Sequence, residues 1–202
     1  TKVVAVVGLV ENRVTGDSYL PGDIIESLSG KTIEIGNTDA EGRLVMADAI
    51  TYLQRNYSPH TITDIATLTG SAIQAFGHDK APVFSNDENL SESFEAAALG
   101  SGEAVVCVAI EQKHHDSMRG QFADLSNTGS LKEDGHITAA AFLENFVEGN
   151  TKWAHIDIAG TFISQDGTAS GYGVKLLAQW INDNYNEDLG LAQKLPSSVD
   201  PQ

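Results

Sequence analysis

An α/β layer fold with a mostly parallel central sheet flanked by helices is what this sequence predicts, on three observations. Strand-like and helix-like segments alternate through most of the 202 residues, the order that builds parallel sheets with helical crossovers. Val3-Val4-Ala5-Val6-Val7-Gly8-Leu9-Val10 is a continuous, mostly β-branched run, as in a strand buried on both faces. Hydrophobic residues make up 41% of the chain, enough for a globular core and too many for a disordered segment.

The elements follow in order. After Val3–Val10 comes a polar stretch from Glu11 to Ser18, then Pro21-Gly22-Asp23, a turn signal. Ile24–Leu28 and Thr32–Ile35 read as two short strands joined at Ser29-Gly30 as a hairpin. From Arg43 to Tyr57 a helix is expected: Leu44, Ala47, Ile50, Leu53 and Tyr57 keep to one stripe, and Pro59 stops it. Thr61–Thr67 reads as a strand and Gly70–Phe76 as a short helix. Ser91–Leu99 is expected to be helical behind a Ser cap, ended by Gly100 and Gly102. A strand over Ala104–Ile110, a helix over Thr138–Val147, a strand over Trp153–Ile158 and a closing helix over Gly173–Tyr185 complete the pattern.

Charge and composition narrow the function classes. Acids outnumber bases 28 to 12, for a formal net charge of −16. Such a surface repels phosphate backbones, so nucleic acid is not an expected partner. No apolar run approaches the roughly 18 residues of a membrane span. A single cysteine, Cys107, excludes an intrachain disulfide and suits a reducing compartment, so a cytoplasmic location is expected. Its setting, Val105-Val106-Cys107-Val108, suggests an inert buried thiol.

The segment with most chemical content is Asn37-Thr38-Asp39-Ala40-Glu41-Gly42-Arg43-Leu44. If extended, it points Asp39, Glu41 and Arg43 to one face, with small residues between them. Two carboxylates with one spacer can hold cations through oxygen ligands. A guanidinium two residues on, beside a helix N-terminus, can hold an anion. An ordinary polar loop leading into a helix fits the same residues, and residue types alone leave both readings open. Of the six histidines, none forms His-Glu-x-x-His, and His114-His115 cannot face one ion from a regular helix. They read as structural or solvated, with His155 a hydrogen-bonded core histidine. Asp87-Glu88 and Glu92 to Glu95 read as a solvated acidic face.

Those eight residues resemble the signature of the leucyl (cytosol) aminopeptidase family, two-metal enzymes that remove N-terminal residues from peptides. Further segments resemble the family in the same order. They are Glu11-Asn12 with Pro21-Gly22-Asp23, Asp64-Ile65-Ala66-Thr67-Leu68-Thr69-Gly70, Phe122-Ala123-Asp124-Leu125 with Asn127 and Gly129, and Trp153-Ala154-His155-Ile156-Asp157-Ile158-Ala159-Gly160. The resemblance spans roughly residues 3–184 and implies a zinc-peptidase-like α/β/α sandwich. By it Asp39 ligates one of two divalent ions, zinc or manganese, and Glu41 bridges both. Arg43 holds a bicarbonate-like anion that assists deprotonation of the attacking water. Thr67, Leu68 and Gly70 give backbone contacts to the peptide substrate, and Asn37, Ala40, Ala159 and Phe162 line the pocket for its first side chain. Hydrophobic first residues and a hexamer with sites facing an interior cavity are implied likewise.

The departure from the family is as informative. The family's metal-binding lysine, two further aspartate ligands and a catalytic lysine belong to a segment preceding the one seen here. Residues 1–185 therefore read as the C-terminal portion of a catalytic domain, with 186–202 as a loosely ordered tail and the missing N-terminal part as an expected partner. The alternative is a non-catalytic α/β module that keeps the fold for assembly or binding. A nucleotide-binding domain is disfavoured, because no phosphate-loop sequence is present.

Overall fold

In the computed structural model, residues 1–11, 13–131 and 134–185 are described; the expected tail at 186–202 lies outside them. Strands β1 (Ile24–Glu26) and β2 (Thr32–Glu34) form the antiparallel hairpin expected around Ser29-Gly30. Gly30 takes a positive φ of 90°, which glycine adopts without strain. Helix α1 (Gly42–Tyr57) buries Leu44, Ala47 and Ile50 along its stripe. Tyr57, expected on that stripe, is 45% exposed at the last position of the helix. Ser58 closes the helix in the left-handed conformation, and Pro59 cannot continue it.

Strand β3 (Thr61–Ala66) leads into helix α2 (Gly70–Phe76), where Thr69 is the cap. Strand β4 (Ala81–Ser85) follows, where no element is expected from sequence. Helix α3 (Glu88–Ser101) starts earlier than expected because Asp87, and not Ser91, accepts the first free amide, Leu90 N–H at 2.8 Å. Asp87 also pairs with Lys152 at 2.9 Å, so it is a working cap and not a bystander on a solvated acidic face. Strand β5 (Val105–Cys107) is shorter than expected. Then come α4 (Gln112–Ser117), β6 (Leu125–Ser126), α5 (Gly135–Glu144), β7 (Lys152–Asp157) and α6 (Val174–Tyr185).

The main sheet has the order β3-β7-β4-β5, and a smaller one has the order β1-β2-β6. In the main sheet β3 runs parallel to β7 and β4 parallel to β5, while β4 meets β7 antiparallel. The sheet is thus mostly parallel, with one reversal at its centre. Alternation along β7 sends Trp153 to one face and Ala154 and Ile156 to the other. Helices α1 and α5 cover the Trp153 face with Leu44, Ala47, Ile50, Phe142 and Leu143. Helices α3 and α6 cover the opposite face, their Phe94 and Trp180 rings stacked 4.7 Å apart. The result is the α/β/α sandwich.

One strand expectation fails. Residues 3–10 adopt no regular structure, and Val3, Val7, Leu9 and Val10 are 63–88% exposed. A β-branched run becomes a strand only when a neighbour completes its hydrogen-bond ladder. No strand among the described residues pairs with it, and β3 pairs only with β7. Near its end the run touches α1, where a Cβ on Gly8 would meet Val45 at 2.3 Å.

His136, at the start of α5, is buried against the rings of Phe76 and Phe84, at centroid distances of 5.4 and 6.2 Å. Burial lowers its pKa, against the opposing pull of Asp134 and Asp157. The unfolded chain therefore takes up a proton here at a pH where the folded chain does not. This site's contribution is complete above the unfolded pKa and is lost as pH falls through it towards the folded one. His136→Phe is expected to narrow the gap in melting temperature between about pH 7.5 and pH 5.5. An equal or wider gap would refute the assignment.

Candidate active site

The signature segment is a turn and not an extended stretch. Ala40 N–H donates to Asn37 O at 3.2 Å, Asp39 N–H donates to Asn37 Oδ1 at 3.0 Å, and Glu41 is already in the helical conformation. The alternation that would place Asp39, Glu41 and Arg43 on one face does not exist. The reason is that Glu41 O starts the helical ladder, accepting from Leu44 and Val45 N–H at 2.9 and 3.2 Å. Asp39 is exposed, whereas Glu41 and Arg43 are drawn inward.

Asn127 holds this turn in place. Fully buried, it accepts from Gly36 N–H at 2.8 Å and Asn37 N–H at 3.2 Å through Oδ1. Its Nδ2 donates to Asn37 O at 2.6 Å, and its backbone carbonyl accepts from Arg43 Nη1 at 2.9 Å. Burial lowers the Arg43 pKa to about 10, opposed by the charges of Asp157 and Glu41. At neutral pH the guanidinium is therefore still a cation. Two buried atoms in this corner carry no hydrogen bond, Glu41 Oε2 and Arg43 Nε. Orphaned buried polar atoms are costly unless a ligand completes them. The first suits a cation and the second an anion, so the residues fit the ions the resemblance implies. They do not complete a site, because no group of three or more His, Cys, Asp or Glu side chains placed to hold a metal occurs among the described residues.

The segments expected to contact substrate lie at the carboxyl ends of the parallel strands β3 and β7, where open α/β sheets bind ligands. Thr67 and Gly70 are exposed and Leu68 half-buried. A Cβ on Gly42 would lie 3.4 Å from Leu68 Cδ1, so this loop sits against the signature turn. Ala159 is buried and Phe162 is 41% exposed just beyond β7. Sequence reasoning did not single out Asp157, the fully buried last residue of β7. Its Oδ1 accepts from Leu68 N–H at 3.0 Å, Ala159 N–H at 3.1 Å and Thr69 N–H at 3.5 Å. Its Oδ2 accepts from the Thr69 hydroxyl at 2.7 Å. An acid inside the apolar run Ile156-Asp157-Ile158 was the available signal.

Below this layer His155 is the core histidine expected, bonded through Nδ1 to Asp64 Oδ1 at 2.5 Å. Asp64 also accepts from the Trp153 indole at 2.6 Å. Burial disfavours a charged His155, but Asp64 outweighs it and raises the pKa. His114 is structural too, closing a capping box with Glu111 at α4. Cys107 is half-buried, and burial together with Glu95 pushes its thiol up to about 12, which leaves it no nucleophile.

Comparison with known proteins places the fold in a family. Residues 1–178 match the catalytic domain of the cytosol aminopeptidase family. A probable cytosol aminopeptidase of Chlorobium luteolum is 45% identical over 183 residues, covering 88% of this chain and 36% of its own length. One from Rhodopseudomonas palustris is 46% identical over 189 residues, covering 91% of this chain and 37% of its own length. A solved structure of a tomato leucine aminopeptidase mutant superposes with a TM-score of 0.82 at 40% identity, over 86% of this chain and 34% of that one. The chain thus spans little more than a third of the length of these curated relatives. It belongs to the cytosol aminopeptidase family.

Proposed function

We propose that this chain is the C-terminal part of the catalytic domain of a metal-dependent aminopeptidase that hydrolyses the N-terminal bond of unblocked peptides. The observation that carries this reading is the pair of buried, unpartnered atoms, Glu41 Oε2 and Arg43 Nε, at the signature turn beside the β3 loop. Asp39 and Glu41 would hold a pair of divalent ions, zinc or manganese. Such a pair, when bound, supplies Lewis-acid polarisation and hydroxide at neutral pH. Arg43 would hold a bicarbonate-like anion through its free Nε, while Nη1 stays on Asn127 O and fixes the side chain. The β3 loop presents the Thr67, Leu68 and Gly70 backbone to the peptide, with Asn37, Ala40, Ala159 and Phe162 around its first side chain. The complete protein would contribute the remaining ligands from its N-terminal part, assemble as a hexamer and reside in the cytoplasm.

The test is made on the full-length protein. It should hydrolyse a leucine chromogenic amide in the presence of manganese or zinc. Arg43→Ala should keep its bound metal while turnover falls about 10²–10⁴-fold, the usual range for general-base assistance. Metal lost from that variant would count against an anion role. Inactivity of the wild-type protein towards every such amide would favour a non-catalytic module.

A further inference from the structure

Two segments that the proposed function assigns to substrate lie on different strands: Thr67–Gly70 after β3, and Ala159–Phe162 after β7. One side chain joins them. Asp157 accepts from Leu68 and Thr69 on the first segment and from Ala159 on the second. It is fully buried.

We infer that Asp157 is a positioning residue for peptide binding: one carboxylate fixes the two substrate-lining loops relative to each other. This rests on the function proposed above. With the Leu68 and Thr69 amides directed inward to Asp157, the peptide groups of the β3 loop have a fixed orientation. The Thr69 hydroxyl donates to Asp157 Oδ2 and accepts from Ala72 N–H at 3.1 Å, so the same contact sets the start of α2. The contact with the Thr69 hydroxyl needs an acceptor at the second atom, which a carboxylate supplies. An asparagine can still accept the amides through Oδ1, but it turns the second atom into a donor facing a hydroxyl that is itself donating.

The experiment uses the full-length enzyme and a leucine chromogenic amide. Asp157→Asn is expected to retain its bound metal and its assembly. Its KM should rise about tenfold and its kcat/KM fall about 10²-fold, because small misplacements of substrate-holding groups carry penalties of that order. A merely structural residue would lower the melting temperature and the active fraction and leave KM unchanged; that result overturns the inference. Should Asp157→Asn fail to fold, Thr69→Val removes the hydroxyl contact and keeps the side-chain shape. KM raised in Thr69→Val and recovered in Thr69→Ser supports the inference, and KM unchanged in Thr69→Val overturns it. A wild-type enzyme inactive on the amide overturns the functional reading and this inference with it. An active wild type beside an Asp157→Asn variant of unchanged KM overturns the inference alone.

Discussion

Expressed alone, the 202-residue chain is expected to release no measurable product from a leucine chromogenic amide, with activity emerging only on mixing with the separately produced N-terminal part. Two divalent ions bring four positive charges, and the signature turn offers them the two carboxylates Asp39 and Glu41. Water would have to fill the remaining coordination, leaving the ions weakly held and the nucleophile unpositioned. A developing oxyanion would also lack the upstream lysine of the family pattern, and one such donor is worth about 10²–10³-fold. The exposed run Val3–Val10 adds a physical obstacle, because an unpaired β-branched segment invites association with other chains. Gel filtration before the assay should therefore show oligomers or poor recovery. Substantial turnover by this chain alone, surviving separation from host aminopeptidases, would refute the incomplete site.

In the full-length enzyme Glu41→Gln should cost far more metal and turnover than Asp39→Asn. The same charge is removed in both, but from different surroundings. Glu41 is half-buried, with an oxygen that has no protein partner, whereas Asp39 is exposed. Electrostatic interactions strengthen as water is excluded, so the inner carboxylate holds a cation more tightly. Loss of even an outer partner of a metal ligand typically lowers affinity about 10–100-fold, and loss of the inner ligand should exceed that. Metal content and kcat measured on both variants decide the matter. Equal two-metal occupancy in Glu41→Gln would remove Glu41 from the bridging position.

By itself the sequence determined the elements whose signal is local. The stripe of α1, the β1–β2 hairpin at Ser29-Gly30, and α2 bounded by Thr69 and Gly77 are set by neighbours a few residues apart, so periodicity and capping disclose them. The same holds for the eight-residue signature and the histidine in β7. Tertiary structure decided the rest, because those features depend on partners far along the chain. Strand β4 hides behind Pro82, yet the imide is tolerated there. Ala81 N–H and Val83 O bond towards the β5 side, and Pro82 falls outside the ladder to β7, which starts at Val83. Val3–Val10 has the composition of a strand, and among the described residues no ladder completes it. The turn of the signature into α1 is held by Asn127, 90 residues from Asn37, whose amide it accepts. Asp157 acquires its role only when the ends of β3 and β7 lie side by side, so that one buried carboxylate meets amides 88 and 89 residues away. A local pattern can specify a helix or a turn, but a site formed where distant strand ends meet exists only once the sheet has brought them together.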